Sequence, residues 1–399
     1  MVRIWTPFFQ LCAVGLLARL GYQMARSPVL PRFAQDLGAT PEVIGLIVAA
    51  STITGIVIKL PAGALSDVLG RKRMMLVGCL FFALPPFLYP FVHSAGALLA
   101  LRFLHGFATA IFSPVASAFV ADLSERGRGE KLGWFAAAGD LGSTLGPLLG
   151  GLLLFYTASY PMTYLTVGVL GLLPLLMVLR LPDDEKPHAT GSSLGARSDQ
   201  FWHGIREVVS SRAVVLASTL EAAMYGGYGA FLGFFPIYAT KIGINDAEIA
   251  LVMGVQLATT MLAKPLSGQL SDRIGRKPMI LAGLFLCAAT LPLIPNVTSL
   301  WLLFPVSALF GLGVAIVTPS TTALVADLVK AGQMGSAMGV FGTIWDAGEA
   351  SGPIIAGFLI ASWGYPSAFT LLALLMVAAA LAFAIMVRDP EALYERASM

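Results

Sequence analysis

Apolar runs of about twenty residues, separated by short polar turns, follow one another almost from end to end of this chain. A bilayer core takes about 20 apolar residues per helical crossing, and twelve crossings can be laid down. In the first half they fall at 5–30, 43–66, 74–93, 97–120, 131–155 and 161–181. In the second they fall at 213–237, 247–271, 279–295, 299–325, 336–361 and 366–387. The run from Ile4 to Leu30 is too long for a signal peptide, carries Arg19 and Arg26, and lacks a convincing cleavage site, so it reads as a first span. Between the halves lies a polar, Gly- and Ser-rich stretch that opens with Pro182-Asp-Asp-Glu-Lys-Pro and cannot span, with a short amphipathic helix expected about Phe201–Val209. The pattern predicts an all-α membrane protein of three parts: a six-helix half (1–181), a linker (182–212) and a second six-helix half (213–399).

The halves repeat each other. Gly63-Ala-Leu-Ser-Asp67-Val-Leu-Gly70-Arg71-Lys72-Arg73 returns 205 residues later as Gly268-Gln-Leu-Ser-Asp272-Arg-Ile-Gly275-Arg276-Lys277. Lys59 and Pro61 precede the first copy, Lys264 and Pro265 the second. At the same offset Ser113-Pro114 matches Thr318-Pro319, and Val120-Ala-Asp122-Leu matches Val325-Ala-Asp327-Leu. Asp140 with Gly146-Pro147 matches Asp346 with Gly352-Pro353 at an offset of 206, one residue having been gained in the loop between. With six spans per half, the copies have parallel topology and an axis along the membrane normal.

Composition narrows the class. Of 399 residues, 57% are hydrophobic and only 12% charged, with mean hydropathy +0.81, against about a quarter charged in soluble domains. A net charge of +3 gives no reason to expect a nucleic-acid partner. Cys12, Cys79 and Cys287 lie inside apolar runs and read as packing thiols, neither disulfide nor metal ligands. Arg71, Lys72, Arg73, Arg126, Arg128, Lys131, Arg273, Arg276, Lys277 and Lys330 share one set of loops, whereas the opposite set holds little beyond Arg32 and Lys241. The asymmetry places both termini and the linker in the cytoplasm. No nucleotide-binding motif, Ser/His/Asp set or metal-ligand cluster stands at recognisable spacing, so neither ATP drive nor an enzyme is expected.

These motifs make the chain resemble, over essentially its whole length, a twelve-span member of the major facilitator superfamily, nearest the bacterial drug:proton antiporters. Gly63 to Arg73 resembles that superfamily's motif A, Arg102-Phe-Leu-His-Gly106 its motif B, and Gly142-Ser-Thr-Leu-Gly146-Pro147-Leu-Leu-Gly150-Gly151 its antiporter-linked motif C. The resemblance implies the major facilitator fold, with spans 1, 4, 7 and 10 around a cavity and spans 2, 5, 8 and 11 where the halves meet. It also implies a gating set of Gly63, Asp67, Gly70, Arg71, Asp272 and Arg276, in which Asp67 latches the cytoplasmic side. Gly146, Pro147, Gly352 and Pro353 join that set as a pliable helix pair between the halves, although helix packing alone accounts for them equally well. Beside the resemblance, the basic triplet suits anionic lipid headgroups. The positive-inside rule explains Arg71, Lys72 and Arg73 but neither Asp67 nor Asp272, each a carboxylate in want of a basic loop or a facing helix N-terminus.

Charges at membrane depth are costly unless they face a wet or paired interior. The bases are Arg19, Arg26, Lys59, Arg102 and Lys264; the acids are Asp140, Glu221, Asp346 and Glu349. By the family's arrangement all can point inward. At about 1.5 Å per residue, Arg19, Asp140, Asp346 and Glu349 fall nearest mid-depth. Arg102, which resembles the family arginine tied to proton coupling, has Ser307 at its place in the second half, so its charge is not kept for packing. Lys59 and Lys264 recur, as a structural or snorkelling pair would. Asp140 and Asp346 are also a repeated pair, whereas Glu221 and Glu349 are not. Asp346 and Glu349 lie three residues apart on one helical face and should not both ionise easily. Glu349 is the first choice as proton carrier, with Asp346 as the group that tunes it, and Asp140, Glu221 and Arg102 complete the coupling set. Substrate-binding candidates are Arg19, Arg26, Tyr22, Lys59, Glu221, Tyr225 and Lys264; His105 reads as a packing residue. The expected function is export of a small organic or amphipathic compound in exchange for protons across the cytoplasmic membrane, by a monomer without further cofactor. Five bases against four acids keep open a carrier of an organic anion or lysolipid, and a non-transporting sensor on the same scaffold is the alternative from another class.

Overall fold

A computed structural model describes residues 2–123, 127–181, 212–328 and 334–386. The expected helix at Phe201–Val209, nearly all of the linker, and the loop residues Arg126 and Lys330 lie outside the described residues. The first half comprises α1 (Val2–Arg26), α2 (Val29–Asp36), α3 (Pro41–Leu69), α4 (Arg71–Ala83), α5 (Ala95–Asp122), α6 (Arg128–Thr157) and α7 (Tyr160–Leu179). The second comprises α8 (Arg212–Lys241), α9 (Asp246–Ile274), α10 (Arg276–Thr290), α11 (Leu300–Leu328) and α12 (Met334–Met386). Both α4 and α10 continue into a proline-containing 3₁₀ turn, Pro85–Phe91 and Leu291–Asn296.

Among the described residues nine helices are long and apolar enough to cross a membrane, with 337–386 counted as one. Gly364, at φ 79°, breaks α12 in two, and α1 and α8 add the more polar first helix of each half, in accord with a twelve-helix fold. The apolar surface faces outward as well as inward: Leu262, Leu266 and Ile385 are each more than 65% exposed, as side chains meeting lipid must be.

The first span differs from the sequence pattern. Its apolar run reaches Leu30, but α1 ends at Arg26, because Pro28 has no N–H to continue the ladder; the chain restarts as α2 with Val29 and Leu30 buried.

Two compact units emerge, one of residues 1–190 with 239–254, the other of 191–238 with 255–399. In the first, α1 lies along α6 and α7, and α5 meets both α3 and α4. The α1–α6 contact is close because Gly142, Gly146 and Gly150 face α1: a Cβ on Gly146 would stand 2.9 Å from the Leu20 carbonyl oxygen and 3.1 Å from the Met24 nitrogen. In the second unit Gly348 and Gly352 of α12 meet the backbone of Ala222 and Gly226 on α8 in the same way. These glycines pack α6 on α1 and α12 on α8, each inside its own unit.

Candidate functional site

Each glycine–arginine turn builds the same knot of charge. Gly70 and Gly275 adopt φ of 98° and 105°, a region open to glycine, and so turn the chain sharply between two helices. The turn aims Arg71 back at α3 and across to α5: Arg71 meets Asp67 Oδ1 at 2.5 Å and Asp122 Oδ2 at 3.0 Å, and donates to Ser66 Oγ at 2.5 Å. Arg276 repeats this with Asp272, with Asp327 Oδ2 at 3.1 Å and with Ser271 Oγ at 3.3 Å. Gly63 sits 4.0 Å from Pro114 and Gly268 3.8 Å from Pro319, measured from an added Cβ. Asp67 and Asp272 thus find their basic partner in their own turn.

Inside the first unit a polar cluster surrounds Arg102. Gly106 lets α5 approach α3, since a Cβ there would stand 2.9 Å from Ser51 Cα. That approach brings Arg102, fully buried, within reach of Ser51, to whose Oγ its Nη2 donates at 2.8 Å. The guanidinium carbon lies 5.4 Å from the centre of the Tyr22 ring. His105, one turn along α5, meets the Tyr22 ring edge-on at 5.0 Å and the Tyr89 hydroxyl through Nδ1 at 3.1 Å. Tyr89 stacks on Tyr164 at 3.9 Å, and Tyr164 donates to the Ala25 carbonyl at 3.3 Å. His105, expected only to pack, is part of this network.

The second unit holds the acids. Glu221 on α8 is fully buried; its Oε2 accepts from the Thr321 hydroxyl of α11, while Oε1 has no hydrogen-bond partner among the described residues. Lys264 lies within its electrostatic reach, and Tyr225, one turn along α8, lies within reach of both Glu221 and Glu349. Tyr225 also rests on the Trp345 ring at 4.8 Å. Asp346 and Glu349 are both buried on α12, whereas Asp140, the repeat partner of Asp346, is exposed.

The other candidates are spread along the first unit. Arg19 donates to Ser113 at 3.5 Å, Arg26 to Thr52 at 3.5 Å, and Lys59 is half-buried on α3. Away from the glycine–arginine turns, Arg32 pairs with Asp246 at 2.5 Å, and Tyr160 donates to Asp36 at 2.6 Å. Sequence reasoning did not single out Asp122, Asp327, Ser51, Tyr89, Tyr164 or Thr321. For the two aspartates the signal was there, in their exact repetition at an offset of 205.

The family model described as Major Facilitator Superfamily matches residues 11–245 and 217–398. An uncharacterized MFS-type transporter of Methanocaldococcus jannaschii is 26% identical over 361 residues, 89% of this chain and 90% of that one. The quinolone resistance protein NorA of Staphylococcus aureus is 26% identical over 335 residues, 83% of this chain and 84% of its own. Among solved structures, a bacterial homolog of the human lysosomal transporter Spinster superposes with a TM-score of 0.76 at 15% identity, covering 99% of this chain and 97% of that one. The nucleoside transporter NupG does so at 0.76 and 16%, covering 95% and 99%. Both likenesses speak for the fold.

Proposed function

Because this chain belongs to the Major Facilitator Superfamily and is a multi-pass membrane transporter of that family, we propose that it exports a small amphipathic organic compound in exchange for protons, with Glu221 as the group that carries the proton. The membrane is the cytoplasmic one, with both termini inside, and the protein acts as a monomer. The likeness to a protein named for quinolone resistance supports export and makes quinolones the first solutes to test.

One observation carries the assignment of Glu221: its carboxyl is sealed inside the second unit with only the threonine hydroxyls Thr321 and Thr318 in hydrogen-bonding reach and no hydrogen-bond partner on Oε1 among the described residues. A charged group at that depth is costly, and the first half has no acid at the corresponding place, where Gly15 and Leu16 stand, so the fold does not need an acid there. A carboxyl sealed from water in one state and opened to it in another exchanges its proton between the two. Glu349, also within electrostatic reach of Tyr225, is the second acid of this group.

The test is solute flux in proteoliposomes under an imposed pH gradient of either sign. Wild-type protein should move quinolones against the proton flow. Glu221→Gln should lose pH-driven flux while still binding solute, because the amide keeps the shape and cannot release a proton. Glu349→Gln and Asp346→Asn should retain part of it. If Glu221→Gln is driven by the gradient at the wild-type rate, the assignment is wrong; co-directional movement of solute and protons would overturn antiport.

A further inference from the structure

We propose that the first unit binds a small monovalent anion, of the size of chloride, against Arg102. Arg102 lies on α5 with no solvent exposure, and a guanidinium does not give up its charge in a protein. Its Nη2 donates to Ser51 and its face is covered by Tyr22, but Nε and Nη1 have no hydrogen-bond partner among the described residues. Its polar neighbours are the hydroxyls of Tyr22, Tyr89 and Tyr164, with Tyr89 within hydrogen-bonding reach, and none of them is a carboxylate. Arg26, also within electrostatic reach of Tyr22, adds to the positive potential. Arg32, Arg71 and Arg276, all less deeply buried, each meet an aspartate. Arg102, the deepest of these four, meets none among the described residues.

Buried charges are paired, because an isolated one is costly even after the surroundings relax. Packing does not require this charge. At an offset of 205, Ser51, Tyr89, Arg102 and His105 correspond to Gln256, Ile294, Ser307 and Phe310, so the second half builds the same helices with no ionisable group at any of these four positions. What the first half has added is a set of donors. His105 Nε2 is also buried without a hydrogen-bond partner among the described residues. With Tyr89 donating its hydroxyl proton to Nδ1, Nε2 carries a hydrogen and faces outward from the pair as a further donor. Two guanidinium nitrogens and an imidazole nitrogen, three residues apart on one helix face, need an acceptor with negative charge. Stacked Tyr89 and Tyr164 and the Tyr22 ring enclose the cluster, which favours a compact ion over a bulky one. This anion is a resident of the first unit and stands independently of the proposal for Glu221.

The experiment is thermal unfolding of the full-length protein in detergent, titrated with sodium chloride against sodium gluconate at constant ionic strength. The expected result is a midpoint that rises by a few degrees and saturates with chloride, since a ligand of the native state stabilises it, and bromide should substitute. Arg102→Met should remove the chloride dependence, and Arg73→Gln, on the exposed surface, should keep it. Should Arg102→Met not fold, His105→Phe, which installs the residue the second half uses, should shift the half-saturating chloride concentration upward. A rise with acetate in place of chloride supports the site and identifies its ligand as a carboxylate. Equal midpoints in chloride, acetate and gluconate for the wild type overturn the proposal, as does an undiminished chloride effect in both Arg102→Met and His105→Phe.

Discussion

Arg71 is held from three sides, by Asp67, Asp122 and Ser66, and this decides what the loss of any one partner costs. Asp67 is about a third exposed, and partly exposed ion pairs contribute about 0–1 kcal/mol. Asp67→Asn should therefore fold and insert with a thermal midpoint close to that of the wild type. Its effect should appear in turnover, lowered severalfold, if that carboxylate has a second partner in another state of the cycle. Asp272 is more exposed, at 64%, so Asp272→Asn should slow transport less. Initial rates of both variants at matched protein density decide this, and wild-type turnover in Asp67→Asn removes the gating role. Single-copy charges were the residues most legible in the sequence: Arg102 and Glu221 stood out because an ion in an apolar run needs a reason. Ser51, Tyr89, Tyr164 and Thr321 were not legible, since neutral side chains in apolar runs carry no such signal. Their partners lie 16 to 139 residues away.

Between elements, glycine sets how close helices come. Gly146 faces backbone atoms of Leu20 and Met24, which cannot rotate away as a side-chain tip can. Gly146→Val should force α1 and α6 apart and cost about 1–3 kcal/mol, as overpacking does. Gly133→Ala, on the same helix but with nothing within 4 Å of an added Cβ, should be neutral or slightly stabilising. Detergent unfolding midpoints of the two variants test this; equal midpoints would mean that the close approach is not needed. The Gly-Pro run announced close packing in the sequence, but not which helix it packs on, because a face of small residues does not name its partner. Helix ends were legible where the punctuation was strong, at Gly70 and Gly275. The end of α1 was less so, because the apolar run continues through Pro28 and hydropathy averages over it.

At the scale of the molecule, a symmetric frame carries asymmetric chemistry. The turns at Gly70 and Gly275, their arginine–aspartate knots and the glycine contacts occur twice. The buried guanidinium cluster belongs to one half and the sealed Glu221 to the other. Repetition made the frame readable from the sequence, and departures from repetition made the chemistry readable. Orientation, by contrast, rests on loop charge alone, with basic residues concentrated on the side of the two turns. Labelling with a membrane-impermeant maleimide tests it directly. Cys79 and Cys287 are fully buried and should not react, and Cys12, half-buried, can be replaced by Ser to give a silent background. In that background Ser193→Cys, in the linker, should be labelled only after cells are broken open. Thr298→Cys, exposed at the far end of α10 from Gly275, should be labelled in intact cells. The opposite pattern would invert the protein and move the basic turns outside, where the attraction of anionic cytoplasmic headgroups for Arg71, Lys72 and Arg73 would be lost.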